Sequence, residues 1–278
     1  MKNILKIMLM MITIFTIAGS AVYAAEIPVS DQDQLITSRD WTEISNLQDE
    51  MKKEEPDATI DYDKALKVYV DCNLIKLQTA DTKKLTSALE SANYVWVIPF
   101  KMEKTYGMFT VAKGLPLSEE AKSVLTKAEQ EEVKNHAGKW MITETAEHTV
   151  EPYYDILLEK REALSDCTRV VLVGSQPGMR QPVALGMDDE TARIWISLGY
   201  QYPVMEKIPE TQNVESGVYS FDSVAEISDT YIEDSEVSTG AGVQSRSSMK
   251  YVAGIGIIVI GSIIILSVLK KKKLEDYE

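Results

Sequence analysis

Two apolar segments, one at each end, limit what the 278 residues can fold into. At the front, Lys2 and Lys6 precede the apolar run Ile7–Ala18, which Gly19 and Ser20 break before Val22-Tyr23-Ala24. That order is the order of a secretory signal peptide, with Ala24-Ala25 as the expected scissile bond. The run falls short of the roughly 20 residues that a bilayer span needs. At the back, Tyr251–Leu269 carries no charge. At about 1.5 Å per residue it reaches about 28 Å, close to the hydrocarbon thickness of a membrane. Lys270, Lys271, Lys272 and Lys273 follow directly and outnumber Arg246 and Lys250 ahead of the span. The positive-inside rule then places the C-terminus in the cytoplasm, with those four lysines completing the membrane anchor. The expectation is a single-pass type I cell-surface protein whose first partner is the lipid bilayer. Its leader and tail have the composition of a low-GC Gram-positive surface protein.

What lies between these ends carries the acid. The net charge of −14 argues against nucleic acid, whose phosphates need lysine and arginine, and against docking on anionic membrane surfaces. Two cysteines, Cys72 and Cys167, are too few for a disulfide scaffold, so the core must be hydrophobic. Each follows an aspartate and borders a strand-like run, Leu66–Val70 or Arg169–Val173. Neighbouring strands would let the thiols pair and add about 4–5 kcal/mol by closing a long loop. Free buried thiols are the alternative.

The pattern along the chain predicts an α+β fold. Trp41, Ile44, Leu47 and Met51 recur at helical spacing up to Pro56, and Asp81 is placed to cap a helix over 82–91. Tyr94–Met102 and Tyr106–Ala112 read as a hairpin, and Gln181–Met187 with Thr191–Leu198 as a second. Thr126-x-x-Glu129 is a capping box, Gly138 a helix stop, Trp140–Val150 a strand, and Pro152 a helix start. Strands in adjacent pairs separated by helices favour a largely antiparallel sheet. Expected segments are a signal peptide over 1–24, one extracellular α+β domain with several helices over 25–209, and an acidic Ser/Thr-rich stalk over 210–249. A transmembrane helix over 250–269 and a polybasic cytoplasmic tail over 270–278 complete the chain. Within that stalk, Val218, Tyr219, Phe221 and Val224 form one apolar knot, placed either to dock on the domain or to serve as a recognition segment.

Candidate chemistry is sparse. Ser175 follows a β-branched run, but Gly174 precedes it directly and Pro177 follows, whereas a nucleophile elbow needs glycine two positions away on each side. His136 and His148 with Glu144 and Glu147 lack the helical or compact-loop spacing of metal ligands. Asp188, Asp189 and Glu190 read as a solvated turn. Ile208-Pro209-Glu210-Thr211-Gln212 resembles a sortase sorting signal with Ile and Gln in place of its Leu and Gly, yet it stands far ahead of the span beside which that family places its motif. The strongest binding candidate is the aromatic face of the first hairpin strand, Tyr94, Trp96 and Phe100, which is either open to a ligand or packed in the core. No catalytic residue, cofactor or metal is expected. The leading expectation is a non-enzymatic binding ectodomain for a protein, peptide or cell-envelope ligand. A subunit of a membrane or envelope complex assembled through the span is the alternative, and a surface hydrolase the third.

Overall fold

The computed structural model describes residues 27–148, 152–174, 176, 179, 182–198, 207–208 and 213–228. The expected signal peptide, Ser175, the expected span over 250–269 and Lys270–Lys273 lie outside the described residues. Among those described, no helix is long and apolar enough to cross a membrane.

Apolar residues on both sides of one strand demand cover on both faces, and the strand Tyr94–Lys101 (β3) has it. It is paired antiparallel along its length with Tyr106–Lys113 (β4), and beyond β4 runs Trp140–His148 (β5). On its other side lie Leu66–Tyr69 (β2) and, further along the same edge, the two-residue strand Thr59–Ile60 (β1). A second antiparallel run is built from Arg169–Val173 (β6), Val183–Met187 (β7), Ala192–Ser197 (β8), Asn213–Glu215 (β9) and Val218–Ser220 (β10). The ten strands form one sheet in the order β5-β4-β3-β2-β6-β7-β8-β10-β9, with β1 off that path beside β3. Among the described residues the one parallel strand pair joins β2 to β6 through Val68–Leu172 and Tyr69–Val173. The protein is therefore a mixed α+β fold with a large, mostly antiparallel sheet.

That central seam is short because another segment enters it. Val29 runs beside Val170, whose N–H donates to Pro28 O at 2.8 Å, and Gln34 bridges Leu66. The Leu35 N–H then donates to Ala65 O. Residues 28–35 thus fill the gap where β2 and β6 diverge, and Ile27 just ahead of them is buried.

Helices cover both faces. Trp41–Ser45 (α1), Gln48–Glu54 (α2) and Thr82–Glu90 (α3) bring Ile44, Met51, Leu85 and Leu89 onto the face that carries Tyr69, Trp96, Val171 and Trp195. Tyr153–Glu159 (α6) brings Tyr153 and Leu157 onto the opposite face, against Val68, Val97, Leu172 and Ile196. Between β4 and β5 lie Glu119–Val124 (α4) and Lys127–His136 (α5). Thr126 and Glu129 close the expected capping box at the start of α5. The chain then turns through Gly138 at φ +76°, a backbone conformation that favours glycine.

Three sequence expectations are corrected. Residues 213–228, assigned to the stalk by composition, supply β9, β10 and a helix over 221–228 (α7). Val218, Tyr219, Phe221 and Val224 are buried, and Phe221 stacks on Trp195 at 5.7 Å. The binding face drawn from Trp96 and Phe100 is core instead: both are at most 1 % exposed, and Tyr94 is half-buried beside them. Gly107 makes this possible, since the Phe100 ring lies over its backbone where a Cβ would stand. Lastly, Cys72 and Cys167 are free thiols in the cores of opposite sheet faces, so the sheet itself separates them. Burial pushes Cys72 up to about 12 and Cys167 up to about 11, which leaves both protonated and unreactive at neutral pH.

Candidate functional site

The segment that enters the seam carries one buried carboxylate, Asp33, and the chain just after it carries a second, Asp40. Asp33 is 2 % exposed. It accepts from the Tyr69 hydroxyl at 2.8 Å and from Arg169 Nη2 at 3.0 Å, and Lys67 Nζ stands 3.4 Å away. Lys67 comes from β2 and Arg169 from β6, so one anion neutralises a cation from each side of the seam. The Lys67 ammonium also lies over the rings of Tyr94, Trp96 and Tyr69, at 4.7, 5.3 and 5.7 Å from their centroids. Desolvation lowers its pKa despite the neighbouring Asp33. Burial, then Asp33, raises that of Tyr69.

Asp40, the residue before α1, is the second anchor. Its side chain does not cap that helix. It turns inward instead, accepting from the Tyr94 hydroxyl at 2.8 Å and from Trp96 Nε1 at 3.1 Å. Two of the three residues expected at a binding surface are thus donors to an internal carboxylate.

These anchors fix what comes next in the chain. Between Asp33 and Asp40 lies Ile36, 38 % exposed, and directly after Asp40 comes Trp41. Both line a surface cleft of about 390 Å³. Its other wall is β1 and the 3₁₀ turn Tyr62–Lys64, where Ile60, Asp61, Tyr62 and Asp63 face the space, with Thr59 and Lys101 at the rim. Trp41 and Tyr62 meet edge to face with centroids 5.2 Å apart and planes at 73°.

Each wall is held from behind. The Tyr62 hydroxyl donates to Met51 Sδ at 3.7 Å, so its polar end points toward the core and its ring remains at the cleft. The Asp61 N–H donates to Pro99 O at 2.9 Å and extends the β1–β3 pairing. Lys64 Nζ pairs with Asp155 at 2.7 Å and ties the turn to α6. Groups fixed in this way lose little freedom when a ligand arrives.

Chemically, the cleft offers two aromatic rings, two aliphatic side chains, two carboxylates, a hydroxyl and an ammonium group. It holds no histidine, serine or cysteine. His136 ends α5 and is not among the residues that line the cleft, and His148 of β5 pairs with Tyr106 of β4. Among the described residues no group of three or more His, Cys, Asp or Glu side chains is placed to hold a metal.

Sequence reasoning missed this site because its two walls lie about 20 residues apart, each on an unremarkable polar stretch. The one available signal was Trp41, an aromatic residue at the start of an otherwise polar helix. No family model, curated protein or solved structure matches the chain.

Proposed function

We propose that the protein is a non-enzymatic binding ectodomain, exported by its leader, anchored by the span over 250–269, and holding an extracellular ligand in the Trp41–Tyr62 cleft. The observation that carries this reading is the cleft itself: aromatic and polar groups at the surface, with Tyr62 and the Asp61 backbone braced by buried Met51 and Pro99. Its volume falls in the range of roughly 300–1,000 Å³ typical of small-ligand sites. The two terminal segments of the sequence support the placement.

The test uses the full chain in its own membrane. A photo-crosslinking residue replaces Thr59 at the cleft rim, in the native chain and in one whose span is exchanged for an unrelated anchor. Crosslinks to an envelope component that persist after the exchange are the expected result. Crosslinks that vanish with the native span would instead favour a subunit assembled through the membrane, and would sink the binding reading.

A further inference from the structure

Resting on the reading of the cleft as a binding site, we infer that its ligand is a neutral carbohydrate of the cell envelope, seated with a sugar face on Trp41 or Tyr62. A pyranose ring presents an apolar C–H face and a rim of hydroxyls, and it needs a platform flanked by hydrogen-bonding groups. The Trp41 and Tyr62 rings, at 73° to each other, share no plane, so one of them serves as the platform, and the Tyr62 hydroxyl is engaged by Met51, which leaves its ring surface apolar. Asp61 and Asp63 accept from hydroxyls, and Lys101 donates to them.

Charge decides between ligand classes. The cleft carries Asp61 and Asp63 on one wall and Lys101 at the rim, and Lys64 lies 3.9 Å from Asp61. A cationic peptide meets Lys101, while an anionic polymer meets the two carboxylates. A neutral polyol meets neither penalty and can use both signs as hydrogen-bond partners. The Lys101 ammonium is held by the Tyr106 ring at 5.8 Å, which keeps the positive charge at the rim.

The experiment places the full chain in nanodiscs on an array of neutral, cationic and anionic glycans, together with lysine-rich and acidic peptides. Trp41→Ala and Asp63→Asn variants run in parallel. Retention of neutral glycans is expected, with a loss of about tenfold or more in each variant, the share of a central contact. Retention of charged glycans or of peptides alone, or of no probe at all, overturns the proposal. So does neutral-glycan retention that both variants keep. The Thr59 crosslink separates the two levels: a crosslinked component that contains no neutral glycan leaves the cleft as a binding site and removes only the ligand class.

Discussion

The buried seam and the open cleft use nearly the same residue types, yet only one is free to meet a ligand. At the seam, Asp33, Lys67 and Arg169 are withdrawn from water and turned on one another, with Tyr69 and Trp96 packed around them. At the cleft, Asp61, Asp63 and Lys101 keep their water, and Trp41 and Tyr62 are half-buried. Burial converts the first set into a lock on the fold. Exposure leaves the second with unspent hydrogen-bonding capacity. The two are joined by eight residues of chain, Asp33 to Asp40, so the lock also sets the position of the cleft wall.

The largest test of this contrast is Asp33→Ala. Removing the anion leaves Lys67 and Arg169 facing each other without a counter-charge, and losing one partner of a buried pair costs about 3–5 kcal/mol. Chemical denaturation should show that loss. Lys67→Met should cost far less, because Asp33 keeps Arg169 and Tyr69 and a methionine of similar shape fills the space. Equal losses for the two variants would show that the carboxylate is not the shared counter-ion of the seam.

Asp40→Ala comes next, at about 2–3 kcal/mol, since it strands the Tyr94 hydroxyl and the Trp96 indole N–H inside the core. It also frees the start of α1. Ligand binding at the cleft should therefore weaken along with stability, even though Asp40 does not line it. Retained binding in a destabilised Asp40→Ala protein would separate the lock from the cleft and break the link drawn above.

How much of this was legible in the sequence depends on how far apart the partners lie. The strand Arg169–Val173 was read without error, and β3, β4 and the Thr126–Glu129 box within a residue or so, because each is written in contiguous residues. Lys67 inside a strand-like run gave no hint of burial. Its counter-ion is 34 residues upstream, and the second cation of the seam is 102 downstream. The composition of 213–228 was rich in Ser, Thr and acid, yet Val218 and Tyr219 alternate across a strand and Phe221 and Val224 sit one turn apart on a helix. Four apolar anchors on an existing sheet edge suffice to order such a segment, which composition alone does not register. The cleft was illegible for the same reason as the lock: it exists only once β1 and the entering segment are brought together.

The lock should also announce itself in pH dependence. Lys67 has a folded pKa below its ordinary 10.5 because burial disfavours the ammonium form. In the window between the two values the unfolded chain holds a proton that the folded chain has released, so stability rises with pH there. Below that window the cost of the buried charge is fully present. Relative to Lys67→Met, the wild type should thus gain stability as the pH climbs towards 10.5. Parallel curves for the two proteins would mean that Lys67 is hydrated and that the seam is less dry than its geometry implies.

The smallest expected effect is the sharpest probe of the other half of the comparison. Asp63 is exposed on a turn whose backbone is fixed by Ala65 N–H to Tyr62 O at 3.2 Å, and Asp63→Asn preserves its shape. Its cost in stability should stay within about 0.5 kcal/mol, as for surface substitutions elsewhere. A carboxylate that contributes nothing measurable to folding, while its loss weakens binding about tenfold or more, is what a site held in reserve for a ligand requires. A stability loss as large as that of Asp33→Ala would place Asp63 in the architecture instead, and the cleft would then be a second lock.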